Sequence, residues 1–228
     1  MAEECWALVV GASRGLGLGL AQELKRRGWK VVATVRDDAG RQRLQQLGGI
    51  EIETLDINDD AGIAALHRRL SDRTFGLVFV NAGIAPPEGH DAAAASREEA
   101  AAVFLTNAVA PIRLARAFLD RVNPTTGIVA FMSSGLGSVA DKTGSYSDLY
   151  SASKAALNSL SRSFAAALAG RRVTVLDIAP GWVRTDMGGP DAPLSVEESV
   201  RGIVDVLERR AGTGRHGFVD YRGRDVAW

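Results

Sequence analysis

The sequence predicts the α/β class: a doubly wound parallel sheet of about seven strands with helices on both faces. Three observations carry that expectation. Short apolar runs alternate with amphipathic stretches along the chain. The runs are continuously apolar rather than alternating, as strands covered on both faces of a parallel sheet are. A glycine-rich turn, GASRGLG at 11–17, follows the first run directly and opens the first helical stretch.

Taken in order, WALVV (6–10) is the first strand, and the amphipathic segment after the glycine turn runs to about Arg27. KVVATV (30–35) is the second strand, followed by a helix near 38–47. IEIETL (50–55) leads to a helix near 59–70. LVFV (77–80) passes through a loop containing proline and glycine into a long helix from about 96 to 121. GIVAFM (127–132) precedes a helix from about 148 to 169, and VTVLDI (173–178) a shorter one near 195–209. GFVD (217–220) is the last strand. Right-handed crossovers between such strands wind the sheet both ways. With no linker, internal repeat or low-complexity tract, residues 1–228 are expected to form one domain.

Composition narrows the function classes. Of 228 residues 46% are hydrophobic and 24% charged, an ordinary globular balance. Lys+Arg and Asp+Glu both number 27, so no net field recruits nucleic acid or an anionic membrane. No run approaches the roughly 18–20 apolar residues of a membrane span. The opening MAEECWALVV is acidic and turns into a strand at once, unlike a signal peptide. Cys5 alone supports neither a disulfide framework nor a multi-cysteine metal site and fits a reducing cytosol. It reads as a small buried or half-buried residue beside the first strand. His67, His90 and His216 have no ligand spacing and read as surface or loop residues. No metal is expected, and a cytoplasmic location is.

The glycine turn is the first candidate site. Gly11 can make the tight turn, while Gly15 and Gly17 allow backbone and ligand to approach closely. The helix N-terminus offers free N–H groups and a positive dipole end to a pyrophosphate. At the end of the second strand, ATVRDD places Arg36 ahead of Asp37. An acidic residue there would hold a ribose 2′-hydroxyl and repel a 2′-phosphate. Arg14 and Arg36 can instead bind that phosphate through charge-assisted hydrogen bonds. NADP(H) is therefore the expected cofactor, with Asp37 keeping NAD(H) possible.

The second candidate site lies in SYSDLYSASKAALNSL, 145–160, where Lys154 follows Tyr150 by one helical turn. Free tyrosine titrates near pH 10, so it is a poor base at neutral pH. An ammonium one turn away favours the phenolate and is expected to lower that value. Tyr146 has no such partner, since the residue four positions on is Tyr150 itself.

These motifs together resemble the short-chain dehydrogenase/reductase family over nearly the full chain. GASRGLG resembles its glycine motif, NAG (81–83) its strand-four motif and SSGLG (133–137) its serine segment. YSASK (150–154) matches Tyr-x-x-x-Lys, and PGWVRTDM (180–187) the segment that closes over the nicotinamide. The resemblance implies a Rossmann fold and an NAD(P)-dependent oxidoreductase. It implies a catalytic set of Asn107, Ser134, Tyr150 and Lys154, with alignment to the family favouring Ser134 over Ser133. Tyr150 would donate its proton to a carbonyl oxygen that Ser134 holds. Lys154 would also reach the nicotinamide ribose, and Asn107 would position a water linking Lys154 to solvent. Cofactor contacts are implied for Gly11, Ser13, Arg14, Gly15, Leu16, Gly17, Arg36, Asp56, Ile57, Asn81, Ala82, Gly83, Tyr150, Lys154, Pro180, Gly181, Val183 and Thr185.

Within the family, TDMGGPDAPLS and the aromatic finish at Tyr221 and Trp228 resemble the C-factor (C-signal) branch, related to sniffer-type carbonyl reductases. The short segment after Met187 suggests an open, tolerant pocket, with Ser134, Leu136, Tyr146, Tyr150, Trp182 and Met187 around the substrate. The expected substrate is a small to medium carbonyl or alcohol. A signalling protein that binds NAD(P) with little turnover is the alternative. Lipid hydrolysis has no Gly-x-Ser-x-Gly elbow to support it. The small residues of AALNSLSRSFAAALAG allow close helix packing, so a homodimer or homotetramer is expected.

Overall fold

Seven strands join one sheet in the order β3-β2-β1-β4-β5-β6-β7, every neighbouring pair parallel. They are β1 (Trp6–Val10), β2 (Lys30–Val35), β3 (Glu51–Thr54), β4 (Phe75–Val80), β5 (Ile128–Met132), β6 (Thr174–Ala179) and β7 (His216–Asp220). The computed structural model describes residues 5–87, 91–144, 146–168 and 170–228. His90 lies outside the described residues, so its expected surface position goes without a structural account.

Helices α1 (Gly15–Arg26), α2 (Asp38–Leu47) and α3 (Asp60–Arg69) follow the first three strands. Next come α4 (Arg97–Phe104), α5 (Ala110–Ala117), α6 (Asp148–Ala166) and α7 (Val196–Arg210). The sheet is covered on both sides, as its apolar strands require. On one face Leu20 and Leu24 of α1, Leu44 of α2 and Ile203 and Leu207 of α7 pack on Val9, Ala33, Phe79 and Ile178. On the other, Leu66, Leu114, Leu157 and Phe164 pack on Leu8, Val78, Phe131 and Val175. Each such leucine or phenylalanine taken out of water contributes about 1.5–3 kcal/mol. Arg27 ties α1 to α7 by bonding Glu23, Asp205 and Glu208 at 2.9, 2.6 and 2.7 Å.

Three expectations need correction. His216 is a half-buried residue of β7 rather than a surface or loop residue. The stretch 96–121 is not one α-helix. After α4 it widens into a π-turn at Leu105–Val109, resumes as α5, and ends in a 3₁₀ turn at Leu119–Arg121. Pro111 supplies the reason: it has no N–H for the Asn107 carbonyl four residues back, and its ring would crowd that carbonyl in a regular helix. Cys5 is exposed rather than buried, because it precedes β1 at the N-terminal rim of the sheet.

The entry to α4 is held by a capping box. Glu99 N donates to Ser96 Oγ at 3.1 Å, and Ser96 N donates to Glu99 Oε2 at 2.9 Å. Ser96→Ala is expected to cost about 1 kcal/mol. Thermal denaturation should register that as a Tm lower by about 2–4 °C.

Beyond β7 the chain turns back and covers the sheet edge. Val219 bridges Asp225 antiparallel, and Val226 N donates to the Phe218 carbonyl at 2.9 Å.

Candidate active site

From β1 the chain winds outward through β2 and β3 on one side and, from β4, through β5 to β7 on the other. The carboxyl ends of β1 and β4 therefore flank the crevice where such sheets bind ligands. Every predicted site segment emerges at that end: the glycine turn after β1, Asn81–Gly83 after β4, Ser134 after β5 and residues 180–187 after β6.

The glycine turn is built tightly. Asn81 Nδ2 donates to the Gly11 carbonyl at 2.7 Å, and Gly11 N donates to Thr34 Oγ1 at 3.0 Å. A side chain at Gly17 would place its Cβ 2.1 Å from that same carbonyl. Asn81 is thus a bolt between β4 and the turn. Ser13 and Leu16 are half-buried, and Arg14 is exposed. Arg14 forms an ion pair with Asp186 at 2.7 Å, joining the turn to the segment after β6. A Cβ on Gly15 would meet Thr185 Cγ2 at 3.4 Å, a second approach between these segments. Pro180 and Val183 are buried there, while Gly181 turns with φ +82° beside Leu194 and Tyr221.

At the end of β2, Arg36 is exposed and Asp37 turns inward on its own helix. Asp37 Oδ1 accepts from Gly40 N at 2.7 Å and caps α2. Arg43, which the sequence pattern did not single out, donates to the Ser13 carbonyl at 3.1 Å and brings a further guanidinium to the turn. Its signal was a basic residue one turn into a helix that packs Gly40 on Ser13. Asp56 is exposed and accepts from Asn58 N at 2.9 Å, and Ile57 beside it is buried.

Tyr150 and Lys154 stand on one side of α6, with the Lys154 Nζ 5.7 Å from the phenol ring centre. Ser134 stands close enough to Tyr150 to favour its phenolate. Ser134 Oγ accepts from Leu136 N at 3.1 Å. Ser133 is used otherwise: buried, it donates to Asn158 Oδ1 at 2.6 Å. The structure thus brings Ser134, and not Ser133, to the tyrosine. Lys154 is 2% exposed and donates to the Met132 carbonyl at 2.8 Å. Its end passes close over Gly83, where an added Cβ would lie 3.4 Å from Nζ and 3.2 Å from Asn107 Oδ1.

Asn107 sits in the π-turn, wholly buried. Its Oδ1 accepts from Ile84 N and its Nδ2 donates to the Ile84 carbonyl, both at 2.8 Å. Nδ2 also reaches Ser153 Oγ at 3.0 Å. The amide therefore clamps the strand-four segment to α6. α6 itself starts after Ser147, whose φ of +49° is unusual for a residue with a side chain.

The expected direction of the tyrosine shift is reversed. Burial pushes the Tyr150 phenol up to about 12, and nearby Ser134 opposes this only in part. The cost of desolvating a phenolate exceeds what its neighbours return. Burial likewise pushes Lys154 down to about 8, against the attraction of Asp177. Near neutrality the chain by itself holds a protonated phenol beside an ammonium.

The substrate-side residues form a rim rather than a core. Tyr146, Trp182 and Met187 are 61%, 58% and 53% exposed, and Leu136 is half-buried. Trp182 Nε1 donates to the Gly188 carbonyl at 2.7 Å, which holds the indole against its own segment. Among the described residues no helix is long and apolar enough to cross a membrane, and no cluster of acidic, cysteine and histidine side chains has the form of a metal site.

The family of short chain dehydrogenases matches residues 5–193. C-signal of Myxococcus xanthus is 38% identical over 129 residues, 56% of this chain and 78% of that one. A carbonyl reductase from Pseudomonas aeruginosa PAO1, solved in complex with NADP, is 42% identical over 99% of this chain and 100% of that chain, with a TM-score of 0.90. The carbonyl reductase Sniffer of D. melanogaster is 32% identical over 99% and 100%, with a TM-score of 0.86. With its glycine turn, its Tyr150–Lys154 pair and this match along most of its length, the chain belongs to the short-chain dehydrogenase/reductase family of oxidoreductases.

Proposed function

We propose that this protein is an NADP(H)-dependent reductase of small to medium carbonyl compounds, with Tyr150 as general acid. The observation that carries the reading is the placing of Ser134 and Tyr150 beside buried Lys154, in the crevice that the glycine turn opens. The nicotinamide, when bound, supplies the hydride.

The residues present fit the dinucleotide. Gly17 leaves no room for a side chain, which keeps the turn and the start of α1 close-set for a pyrophosphate. Asp37 spends its carboxylate on capping α2, which leaves Arg14, Arg36 and Arg43 to set the charge where a 2′-phosphate would lie. That arrangement favours NADP(H) over NAD(H). Asp56, Ile57, Ala82, Pro180, Gly181, Val183 and Thr185 would complete the contacts.

Within the site, Ser134 holds the substrate oxygen and Tyr150 gives it a proton as negative charge develops. The phenol suits this direction, because burial keeps it protonated across the neutral range. Lys154 then stabilises the phenolate left behind, and Asn107 keeps the surrounding backbone in place. The exposed rim of Tyr146, Trp182 and Met187 suits varied apolar carbonyls better than one tightly fitted substrate. One domain, a cytoplasmic location and a homodimer or homotetramer complete the reading. Exposed Ala152, Ser159, Ser163 and Ala166 on α6 leave room for a close helix–helix approach.

The test is NADPH oxidation with a panel of ketones, aldehydes and quinones. Turnover on some of them is expected. Tight NADPH binding with no turnover on any would favour the signalling alternative instead. Arg36→Ala should weaken NADPH binding by about 10–100-fold, as loss of a charged hydrogen bond does. NADH binding should move little, and equal loss for both cofactors would count against the 2′-phosphate assignment.

A further inference from the structure

Beneath α6 lies a polar cluster that the reaction above does not use. Asp177 is fully buried on β6. Its neighbours Leu176 and Ile178 point to the opposite face, so Asp177 points at α6. The Ser161 hydroxyl donates to Asp177 Oδ2 at 2.5 Å, and His216 Nε2 on β7 lies 2.9 Å from the same oxygen. Asp177 Oδ1 accepts no hydrogen bond among the described residues. A buried carboxylate with one oxygen unmatched is costly and calls for a reason.

We propose that Asp177 is the counter-charge that keeps the Lys154 ammonium charged under α6, and that His216 keeps Asp177 ionised. Asp177 is thus a positioning residue for the reaction, and this role rests on Lys154 working as proposed above.

Lys154 is wrapped by neutral groups on its other sides: the Tyr150 phenol of α6, the Met132 carbonyl of β5, Gly83 after β4 and Asn107 of the π-turn. Asp177 supplies the opposing charge from β6: in the β5–β6 register it pairs with Phe131, next to the Met132 whose carbonyl takes the Lys154 hydrogen bond. The attraction is mutual, and with His216 and Ser161 it opposes the burial that pushes the Asp177 carboxyl up. For Asp177 the facing groups are Ser161 and Lys154 of α6 and His216 of β7. With its proton on Nε2, His216 donates to Asp177.

Trp228 roofs the pair. Its ring lies 4.9 Å from His216 and 5.5 Å from Phe218, and the Arg162 guanidinium covers it at 4.8 Å. The far edge of His216 borders a cavity of about 430 Å³ lined also by Arg162, Arg171 and Arg215. The aromatic finish at Trp228 thereby acquires a role: it covers one side of His216, the partner of the charge behind Lys154.

The test begins on the cofactor-free protein. The chain has four lysines, Lys25, Lys30, Lys142 and Lys154, so a lysine ¹³Cε NMR titration resolves each, with Lys154→Met assigning its signal. Asp177→Asn keeps the shape and removes the charge. It should lower the Lys154 midpoint, near 8 in the parent, by about one unit. His216→Phe, which changes no residue of α6 or β6, should lower it less and serves if Asp177→Asn does not fold. The alkaline limb of kcat/KM should move down by the same amount, with rates recovering as pH falls. An unmoved midpoint in a folded variant overturns the proposal, and so does a moved midpoint with an unmoved limb. A parent protein without turnover refutes the functional reading instead, while the titration still decides the charge pairing.

Discussion

Tyr150→Phe is expected to slow NADPH-dependent carbonyl reduction by about 10²–10⁴-fold, the usual worth of a positioned general acid. The phenylalanine keeps the ring and loses the hydroxyl that Ser134 influences. NADPH affinity should stay within about threefold, so the loss falls on kcat rather than on binding. The parent pH profile separates the roles further. The phenol, pushed up to about 12, stays protonated throughout the working range. Lys154, pushed down to about 8, is charged below that pH and loses its charge as pH rises through it. The rate should therefore decline on the alkaline side near pH 8, and the limb belongs to the lysine. Steady-state rates from neutral to alkaline pH on both proteins check this. A variant retaining a tenth or more of the parental kcat would remove Tyr150 from the mechanism.

Gly17→Ala should do comparable damage by another route. Its Cβ would sit 2.1 Å from the Gly11 carbonyl, 2.5 Å from Asn81 Nδ2 and 3.0 Å from Ala12 Cα. Two of these neighbours are backbone, and the third is the bolt between β4 and the turn, so none can move aside cheaply. The expected cost is about 3 kcal/mol or more. That corresponds to a Tm lower by about 6–12 °C. Because the turn must widen, NADPH affinity should fall as well. Gly217→Ala on β7 is the control: its Cβ would meet nothing closer than 3.8 Å, so it should melt close to the parent. Thermal scans and NADPH fluorescence titration compare the three proteins. A Gly17→Ala protein that matches the control would disprove this account of the turn.

Much of the fold was legible because burial on both faces leaves a plain trace. WALVV and KVVATV became β1 and β2 residue for residue, each almost entirely buried. The glycine turn and the Tyr150–Lys154 spacing were legible for the same reason: close approach and helical geometry each impose a local pattern. What depends on contacts between distant segments was not. Asp177 and His216 are 39 residues apart and meet only through the β6–β7 register, which pairs Asp177 with Phe218. In the apolar run VTVLDI the aspartate carries no mark of its role. The direction of the Tyr150 shift was missed because helical spacing shows the nearby ammonium but not the depth of burial. The break in the 96–121 helix did have a signal, Pro111 four residues after Asn107, but hydrophobic periodicity alone runs straight through it.

That π-turn carries a consequence for how the site tolerates insertions and deletions. A π-turn is an α-helix holding one residue too many. Deleting a single residue between 105 and 109 would remove the surplus that the wide turn absorbs, and with it the bulged backbone that presents Asn107. Asn107 would then leave Ile84 and Ser153, though no residue of the Tyr150 motif had changed. Such a deletion should yield a protein that still winds the same sheet but has lost the clamp at Asn107. Within this stretch, chain length is as much a part of the active site as the identity of any side chain.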